Sequence, residues 1–343
     1  MVKVGVVGAS GYAGVELLRL CAAHPELEVT VAGAGTAAGQ PVGEHTPSLR
    51  AAYPGLSYVP VDAEDPAALD GLDLCFLALP HGESQRLVPN LVGRVGTVVD
   101  LAADFRLPAS TYEAWYGHPH TSPELIERAV YGLPEWDRSR LPGASLVAAP
   151  GCYPTAATLA LLPLVRSGLV ATTGIIVDAA SGTSGAGRAP KPNLHFGTVD
   201  EDFVAYGLLR HRHTPEMERN LGAEVLFTPH LAPMVRGILA TCYARPASPD
   251  AGLTTEDVMA VLHEAFDGEP FVCVVDDPPS TKATAGSNLA MVTGRVDERT
   301  GWVVTLCAID NLGKGAAGQA IQCANAVLGL PETTGLPMAA VYP

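Results

Sequence analysis

The stretch Val2–Ala23 reads VKVGVVGASGYAGVELLRLCAA, and it decides the fold of the first half of the chain. Val2 to Val7 form a nearly continuous β-branched run, which predicts a buried strand. Glycines follow at once, and from Gly14 to His24 the apolar residues recur at helical spacing. A strand, a glycine turn and a helix in direct succession predict the first half of a βαβ unit.

The same alternation continues through the first 150 residues. Strand-like runs lie at Glu28 to Ala32, Leu72 to Leu79 and Gly96 to Leu101, and a helical stretch from Glu83 to Leu91 separates the last two. Strands that alternate with helices form a parallel sheet that is buried on both faces. We therefore predict an α/β fold for this half.

The glycine turn after the first strand has the spacing GxxGxxG, at Gly8, Gly11 and Gly14. A tight turn at a strand–helix junction brings the backbone close to a ligand and points a helix N-terminus at it, which suits a dinucleotide pyrophosphate. We expect the whole turn, including Ser10, Tyr12 and Ala13, to contact such a cofactor. A turn with no ligand is the alternative, because a glycine-rich turn alone is a weak signal.

The segment after the second strand, GAGTAAGQ (33–40), contains no acidic residue. Sites for NAD usually carry an acid here, and a carboxylate would repel the 2′-phosphate of NADP. The sequence thus favours NADP, with Thr36 as a hydrogen-bond donor to that phosphate.

After Cys152 the pattern changes to longer strands with few helices. A helix is predicted from Pro154 to Ser167, another from Thr255 to Phe266, and a last one from Ala316 to Leu328, which we expect to pack on the first domain. The Gly-rich stretch from Ser181 to Asp202 is predicted to be an irregular functional loop. Predicted strands lie at Gly174 to Ala180, Ala223 to Pro229, Gly237 to Arg245, Phe271 to Val275, Asn288 to Asp297 and Trp302 to Asp310. Such a succession predicts a mainly antiparallel sheet in an α+β domain.

Composition excludes several classes of function. The chain carries 21 Lys and Arg against 36 Asp and Glu, a net charge of −15, so we expect no nucleic-acid or membrane-surface partner. The start lacks a signal-peptide pattern, and no apolar run is long enough to span a bilayer. Seven scattered cysteines without a CxxC pair predict reduced thiols in the cytoplasm and no metal site.

Cys152 differs from the other six cysteines, which lie in apolar contexts typical of core thiols. It lies in APGCYPT (149–155), where two prolines and a glycine predict a rigid turn at a helix start. The positive end of that helix lowers a thiol pKa and favours the reactive thiolate. Cys152 is therefore the candidate nucleophile; a thiol that merely fills a tight helix entry is the alternative.

The segment HRHTPE (211–216) supplies candidate acid/base groups. Thr214 and Pro215 predict the start of a helix, so His211 and His213 lie in the loop before it. If that loop is extended, the two side chains point to opposite sides, and only one of them faces the thiol. His81 ends a first-domain strand, where parallel sheets present ligand groups.

These motifs together resemble N-acetyl-γ-glutamyl-phosphate reductase, the third enzyme of arginine biosynthesis. The resemblance runs almost from end to end. It is carried by GASGYAG (8–14), FLALPHG (76–82), DLAADFRL (100–107), YGLPE (131–135), PGCYPTA (150–156), SGTSGAGR (181–188), HRHTPE (211–216), FTPHLAPMVRGIL (227–239), DNLGKGAAGQAIQ (310–322) and ETTGL (332–336).

The resemblance implies an NADP-binding Rossmann domain, 1–150 with 314–343, and a catalytic and oligomerisation α+β domain, 151–313. It implies a homodimer or homotetramer that reduces the acyl phosphate with NADPH through a thioester on Cys152, with His211 as acid/base. The cofactor contacts beyond the glycine turn and Thr36 would come from Pro80, His81, Ser181, Gly182 and Asn311. The contacts to the anionic substrate would come from Arg106, Ser184, Arg188, Lys191, His213 and Arg236, and each of these cations is equally compatible with a surface charge.

Two other functions remain open at the level of sequence. One is another acyl-phosphate reductase, such as aspartate-semialdehyde dehydrogenase or N-acetylaminoadipyl-phosphate reductase, which shares the nucleophile chemistry. The other is a catalytically silent NADP-sensing regulator, which needs the glycine turn but neither Cys152 nor the histidine pair.

Overall fold

The structure is a computed structural model that describes residues 1–248 and 252–342. These residues divide into two compact units, Met1–Pro150 with Ala316–Leu336, and Gly151–Gly315 with the residues after Leu336. Residues 249–251 and Pro343 belong to the predicted domain ranges but lie outside the described residues.

The division differs from the predicted ranges at the C-terminus, where the prediction assigned all of 314–343 to the first domain. The Asn288 amide N–H donates to the Pro337 carbonyl, and the Val341 N–H donates to the Ala285 carbonyl. These backbone hydrogen bonds hold the residues after Leu336 against the second unit.

Within the described residues, the first unit contains a seven-stranded sheet in the order β3-β2-β1-β4-β5-β7-β6. Every strand pair in it is parallel. The strands are β1 (Val2–Val7), β2 (Leu27–Gly33), β3 (Tyr58–Val59), β4 (Leu74–Leu77), β5 (Thr97–Asp100), β6 (Val130–Tyr131) and β7 (Leu146–Ala148). The helices before residue 150 are α1 (Tyr12–Ala23), α2 (Val42–His45), α3 (Ser84–Leu91), α4 (Ala109–Tyr116) and α5 (Pro134–Asp137).

Two neighbouring strands of this sheet, β4 and β5, are buried along their whole length. Every residue of β4 (LCFL) and β5 (TVVD) is buried, as expected for a sheet covered on both faces. The strand order reverses at β1: β2 and β3 lie on one side of it, and β4 to β7 lie on the other. Ligands of such sheets bind at the carboxyl ends of the strands near the point of reversal. The predicted α/β fold is confirmed.

The second unit contains a mixed seven-stranded sheet, counted over its described residues, in the order β12-β13-β14-β11-β8-β10-β9. The pairs β8–β10 and β12–β13 are parallel and the others antiparallel. The strands are β8 (Ile175–Ser181), β9 (Val204–Ala205), β10 (Val225–Leu231), β11 (Ile238–Ala244), β12 (Val272–Val274), β13 (Ala290–Asp297) and β14 (Trp302–Ile309). The helices are α6 (Cys152–Arg166), α7 (Phe196–Val199), α8 (Thr214–Leu221) and α9 (Thr255–Phe266).

Helices cover one face of this second sheet. Both α6 and α9 pack against β13, and α6 also packs against β11, β14 and α8. The strands alternate buried and part-buried residues, which is the pattern of a sheet with one covered face.

The last helix, α10 (Gly318–Val327), belongs to the first unit and packs against α1 and β5. A π-helical turn, Gly313–Ala317, precedes it. The sequence predicted a helix from Ala316 to Leu328, whereas the α-helix begins at Gly318.

Candidate active site

The glycine turn lies between β1 and α1, at the carboxyl edge of the parallel sheet. Gly8 has a φ of +81°, and a Cβ on it would lie 2.2 Å from the Ala78 carbonyl oxygen, so only glycine fits. The N–H groups of Gly8 and Ala9 both donate to the Gly33 carbonyl and fix the turn against β2. Gly11 begins α1 without a side-chain cap and without an acidic residue in the first turn, which leaves this helix end suited to an anion.

The other predicted cofactor residues of the first unit also follow strand ends. Thr36 is exposed in the turn after β2, and Pro80 and His81 are exposed in the loop after β4. Because β2, β1 and β4 are neighbouring parallel strands, these residues share one sheet edge with the glycine turn. The His81 Nδ1 accepts a hydrogen bond from the Ala103 N–H, which orients the ring.

Arg106 is buried in the first unit, where its guanidinium donates hydrogen bonds to backbone carbonyls. Its Nε donates to the Ala149 carbonyl at 2.7 Å, and one Nη donates to the Leu101 carbonyl. Nearby, burial and the charge of Asp104 raise the pKa of Asp100 to about 7. These contacts give Arg106 a bracing role; its predicted contact with substrate stays a prediction.

Cys152 is the first residue of α6, two positions before the predicted helix start. Gly151 caps the helix with an extended backbone and no side-chain cap, so the helix N-terminus lies directly at the thiol-bearing residue. The π-helical turn passes so close that a Cβ on Gly315 would lie 2.8 Å from the Cys152 Cβ. Single π turns inside helices are frequent at functional sites, and this one requires glycine where it approaches Cys152.

The histidine pair lies beside the residue that follows Cys152. The ring of Tyr153 contacts the rings of His211 and His213 edge-on, at centroid distances of 5.5 Å and 5.9 Å. The two imidazoles are 4.9 Å apart, so the expectation that they point to opposite sides is wrong. The segment is a turn rather than an extended strand, and a turn places alternate side chains on the same side.

His211 is enclosed by aromatic rings and oriented by its own loop. Tyr206 and Phe227 also contact its ring edge-on. The His213 backbone N–H donates to the His211 Nδ1 at 3.1 Å. A neutral His211 ring therefore carries its proton on Nε2.

Two tyrosine hydroxyls lie next to this cluster. The hydroxyl oxygens of Tyr153 and Tyr206 are 3.1 Å apart, and Tyr153 also donates to the His230 carbonyl. Burial raises the pKa of both tyrosines, that of Tyr206 to about 12, and the charge of Cys152 adds to both shifts. Both phenols are therefore protonated hydrogen-bond donors at neutral pH.

A second group of predicted residues gathers at one edge of the mixed sheet. Ser181 ends β8 and pairs with Ile238 of β11, which in turn pairs with Ile309 of β14. The Asn311 side chain bridges this edge: its amide donates to the Ser184 hydroxyl at 2.9 Å, and its oxygen accepts from the Gly237 N–H. Gly182 joins the same edge through its own backbone bond to the Gly237 carbonyl.

Arg236 also lies at this edge, with its guanidinium held by a buried carboxylate. Its Nε donates to Asp310 at 2.9 Å, and Asp310 is fully buried. Part of the Arg236 side chain, 27%, remains exposed, which lets an anion approach it. Arg188 and Lys191 are exposed and lie in the segment that follows Ser184 along the chain. The structure does not bring them into the hydrogen-bonded group formed by Ser184, Gly237 and Asn311.

Five of the remaining six cysteines are more buried than Cys152. Cys21, Cys75, Cys242, Cys307 and Cys323 are buried, as predicted, whereas Cys273 is half-buried because β12 is a short edge strand. Burial raises the pKa of Cys21, Cys75 and Cys242 to about 12 and also raises that of Cys307. These four thiols are protonated and unreactive at neutral pH.

The sequence did not single out several residues that shape this site. Tyr153 lies inside the motif PGCYPTA, and Glu216, which accepts a hydrogen bond from the Gly151 N–H, lies inside HRHTPE. The motifs around these two residues were therefore a usable signal. No sequence signal marked Tyr206 or Gly315, since Tyr206 follows an irregular segment and Gly315 is one of many glycines. In the described part of the chain, no cluster of metal-ligating side chains and no helix able to cross a membrane is found.

Family models match both units. Residues 3–144 match the NAD binding domain of semialdehyde dehydrogenase, and residues 152–311 match the dimerisation domain of semialdehyde dehydrogenase. Solved structures of similar fold include aspartate semialdehyde dehydrogenase II from Vibrio cholerae, with a TM-score of 0.71 at 15% identity over 96% of this chain and 98% of that one. Aspartate semialdehyde dehydrogenase with NADP from Candida albicans gives a TM-score of 0.71 at 16% identity over 95% and 98%.

Curated relatives match over the whole chain. N-acetyl-gamma-glutamyl-phosphate reductase of Symbiobacterium thermophilum is 49% identical over 100% of this chain and 99% of its own length. The reductases of Geobacter sulfurreducens and Thermosynechococcus vestitus are 47% and 44% identical, over 100% of this chain and 100% and 99% of their own lengths. The chain belongs to the N-acetyl-gamma-glutamyl-phosphate reductase family.

Proposed function

We propose that this protein reduces N-acetyl-γ-glutamyl phosphate to N-acetylglutamate 5-semialdehyde and phosphate with NADPH, the third step of arginine biosynthesis from glutamate. The observation that carries the proposal is the placement of Cys152. It is the first residue of α6, and its neighbour Tyr153 contacts both His211 and His213. A silent NADP-sensing regulator would need none of this arrangement.

The first unit fits the cofactor. The close approach at Gly8 and the uncapped start of α1 form a cradle for a pyrophosphate, which a Cβ at residue 8 would fill. Thr36, Pro80 and His81 lie along the same sheet edge and would hold the rest of the nucleotide. Ser181, Gly182 and Asn311 stay predicted cofactor contacts. When bound, NADPH supplies the hydride that reduces the thioester.

Cys152 is the nucleophile in this reaction. Its thiolate attacks the γ-carbonyl carbon, the bond from that carbon to the phosphate oxygen breaks, and phosphate leaves with the electron pair. The helix N-terminus favours the thiolate, and the N–H groups of the first turn stabilise the negative carbonyl oxygen. After reduction the thiohemiacetal loses its O–H proton, the C–S bond breaks, and the aldehyde separates from the regenerated thiolate.

His211 is the acid/base group for the substrate oxygen. Its Nδ1 accepts from the His213 N–H, so Nε2 carries the proton of the neutral ring. Nε2 therefore donates to the oxygen on which negative charge develops and recovers the proton when the aldehyde forms. His213, whose ring contacts those of Tyr153 and His211, binds substrate or braces the loop.

The substrate carries a phosphate and a carboxylate, and both need cationic partners. Arg236 suits one of them because Asp310 fixes its guanidinium while part of the side chain stays exposed. Ser184, Arg188 and Lys191 lie close to one another along the chain and stay predicted anion contacts, as does Arg106.

We further propose that the protein is a cytoplasmic homodimer or homotetramer that associates through the uncovered face of the second sheet. The match to a dimerisation domain over residues 152–311 supports association of the second unit. The uncovered face presents apolar side chains, including Leu226 with 50% exposure, and a depression. That depression is lined by the apolar and aromatic residues Ile176, Tyr243, Trp302 and Val304 and by the polar residues Asp178, Asp297 and Thr300. All seven cysteines are free thiols, which fits a reducing compartment.

The substrate assignment is tested in the reverse direction, with NADP⁺, phosphate and three aldehydes. We expect N-acetylglutamate 5-semialdehyde to give the highest kcat/KM, because the full-length relatives are reductases of that acyl phosphate. Aspartate semialdehyde and the N-acetylaminoadipate aldehyde serve as matched competitors. A higher kcat/KM with either competitor would reassign the substrate while leaving the cysteine chemistry in place.

The cofactor assignment predicts a preference for NADPH over NADH. No carboxylate follows β2, so nothing there repels a 2′-phosphate. In Thr36→Asp we expect KM for NADPH to rise on the order of tenfold, which corresponds to about 1.4 kcal/mol. Thr36→Asn, which is neutral and of similar size, should change it little. Equal kcat/KM with the two cofactors in the unmodified protein would refute the preference.

A further inference from the structure

The loop that follows β4, residues 78–83, lies directly beside the glycine turn. The Ala78 N–H donates to the Val7 carbonyl at the end of β1. The Ala78 carbonyl oxygen lies 2.2 Å from the point where a Cβ on Gly8 would be, so backbone packs on backbone there. Because β1 and β4 are parallel neighbours at the point where the strand order reverses, this β4–α3 loop borders the ligand crevice of the sheet.

Asp104, in the turn after β5, binds the other end of the β4–α3 loop. The Gly82 N–H donates to both of its carboxylate oxygens, at 2.9 Å and 3.0 Å, and the Gln85 N–H donates to Oδ2 at 3.0 Å. Gln85 lies in the first turn of α3, so the carboxylate joins the loop to the start of that helix. A negative charge at a helix N-terminus is stabilised by the N–H groups that have no partner within the helix.

Two consecutive residues after β5 hold two consecutive residues after β4. Next to the Asp104 contact with Gly82, the Ala103 N–H donates to the Nδ1 of His81. Gly82 has a φ of +93°, a conformation that favours glycine, and its peptide needs partners that hold it there. The His81 ring and the Gly82 peptide are therefore fixed together.

Asp104 is itself held through both its side chain and its backbone. It is fully buried, and a buried carboxylate needs hydrogen-bond donors, to which the Tyr112 hydroxyl adds one at 3.0 Å from Oδ1. The Nε2 of His120 donates to the Asp104 backbone carbonyl at 2.7 Å. Burial lowers the pKa of His120, and its Nδ1 accepts from the Ser122 N–H, so the neutral ring carries its proton on Nε2. The fold of the first unit thus fixes the position of the Asp104 carboxylate.

We propose that Asp104 is a positioning residue that holds the β4–α3 loop in the conformation that receives NADPH. The inference rests on the proposed function, which assigns Pro80 and His81 to the cofactor. Asp104 acts through the Gly82 peptide and the start of α3, and it transfers no proton. Because Oδ2 alone accepts from both N–H groups, its role depends on the place of one oxygen and not on the negative charge.

The test is the Kd for NADP⁺, measured by calorimetry. Asp104→Ala removes the acceptor for Gly82 and Gln85, and we expect Kd to rise roughly tenfold, because hydrogen bonds to a charged group are the strong ones. In Asp104→Asn an amide oxygen in the place of Oδ2 can accept from both N–H groups, so Kd should stay within about threefold of the unmodified value. Asp73→Ala is the matched control and should leave Kd unchanged, since Asp73 accepts from the Lys3 N–H at the opposite edge of the same sheet.

Steady-state kinetics separate a positioning role from a merely structural one. At saturating NADP⁺, KM for the aldehyde should change by less than about twofold in Asp104→Ala, because the effect is confined to cofactor binding. A folded Asp104→Ala whose melting temperature falls while Kd for NADP⁺ stays unchanged would overturn the proposal. So would an Asp104→Asn that binds NADP⁺ as weakly as Asp104→Ala, since the charge rather than the position would then matter.

If Asp104→Ala does not fold, Gly82→Ala tests the same peptide from the exposed loop. An alanine Cβ there would lie 3.4 Å from the His118 ring, an ordinary contact, so the substitution acts through the positive φ. We expect Kd for NADP⁺ to rise several-fold, and an unchanged Kd would overturn the proposal. NADP⁺ binding needs no acyl phosphate, so a protein that gives this series of Kd values and reduces no acyl phosphate contradicts the proposed function alone.

Discussion

Replacing Cys152 with serine is expected to abolish phosphate-dependent reduction of NADP⁺ while NADP binding survives. A serine hydroxyl is a poor nucleophile without strong base activation, and the helix N-terminus that favours a thiolate does not ionise an alcohol. The cofactor turn at Gly8–Gly14 lies in the other unit, so the substitution leaves it intact. The measurements are the initial rate with aldehyde and phosphate, and NADP⁺ affinity by fluorescence or calorimetry.

Cys273→Ser is the matched control for this experiment. Cys273 is half-buried on the edge strand β12, so its replacement should leave the rate unchanged. Alkylation of the unmodified protein should label Cys152 first, because burial raises the pKa of four other thiols. Activity of Cys152→Ser above about one per cent of the unmodified rate would contradict a covalent role, since loss of a nucleophile normally costs far more.

The first sheet was predictable because its signals are local. Val2–Val7 is a strand in both sequence and structure, and the glycines after it mark the turn without reference to anything distant. The strands β3, β6 and β7 were not predicted. Each has only two or three residues, which are too few to show periodicity and pair only because the sheet already exists. The Gly313–Ala317 turn was not predicted either, because a helical apolar pattern does not distinguish a π-helical turn from an α-helix.

The site was predictable in its parts and not in their arrangement. Cys152 and the HRHTPE segment stood out because of their turn and helix-start residues. The hydrogen bond from Gly151 to Glu216 spans 65 positions, and no local rule selects that partner among the acidic residues. The relative direction of His211 and His213 was mispredicted because it depended on the loop being extended, and tertiary packing on Tyr153 folds the loop into a turn.

Arg106 shows the limit of reading charge from sequence. A cation at the end of a conspicuous motif suggests an anion site, and the sequence gives no sign of burial. In the structure its guanidinium donates to the carbonyls of Ala149 and Leu101, which are backbone groups that side-chain patterns cannot reveal. Arg236 is held instead by a carboxylate 74 positions away, so its orientation also depends on the folded sheet.

The second large effect is expected at the histidine pair, where His211→Asn should lower kcat far more than His213→Asn. The Nδ1 of His211 is engaged by the His213 backbone N–H, so its Nε2 is the ring nitrogen that carries the proton. Tyr153, Tyr206 and Phe227 pack around the ring and hold it in that orientation. A fixed acid/base group typically contributes about 10²- to 10⁴-fold, which sets the expected fall in kcat.

For His213→Asn we expect mainly a higher KM for the acyl phosphate, with kcat changed little. His213 precedes α8, and its backbone carbonyl accepts from the Met217 N–H, contacts that an asparagine backbone preserves. The N–H that orients His211 is likewise a backbone group and survives the substitution. Steady-state kcat and KM measured separately for the two variants decide the matter, because the imidazoles are 4.9 Å apart and either could reach a shared substrate oxygen. A larger kcat loss in His213→Asn would mean that the two roles are reversed, with His213 transferring the proton and His211 holding the loop.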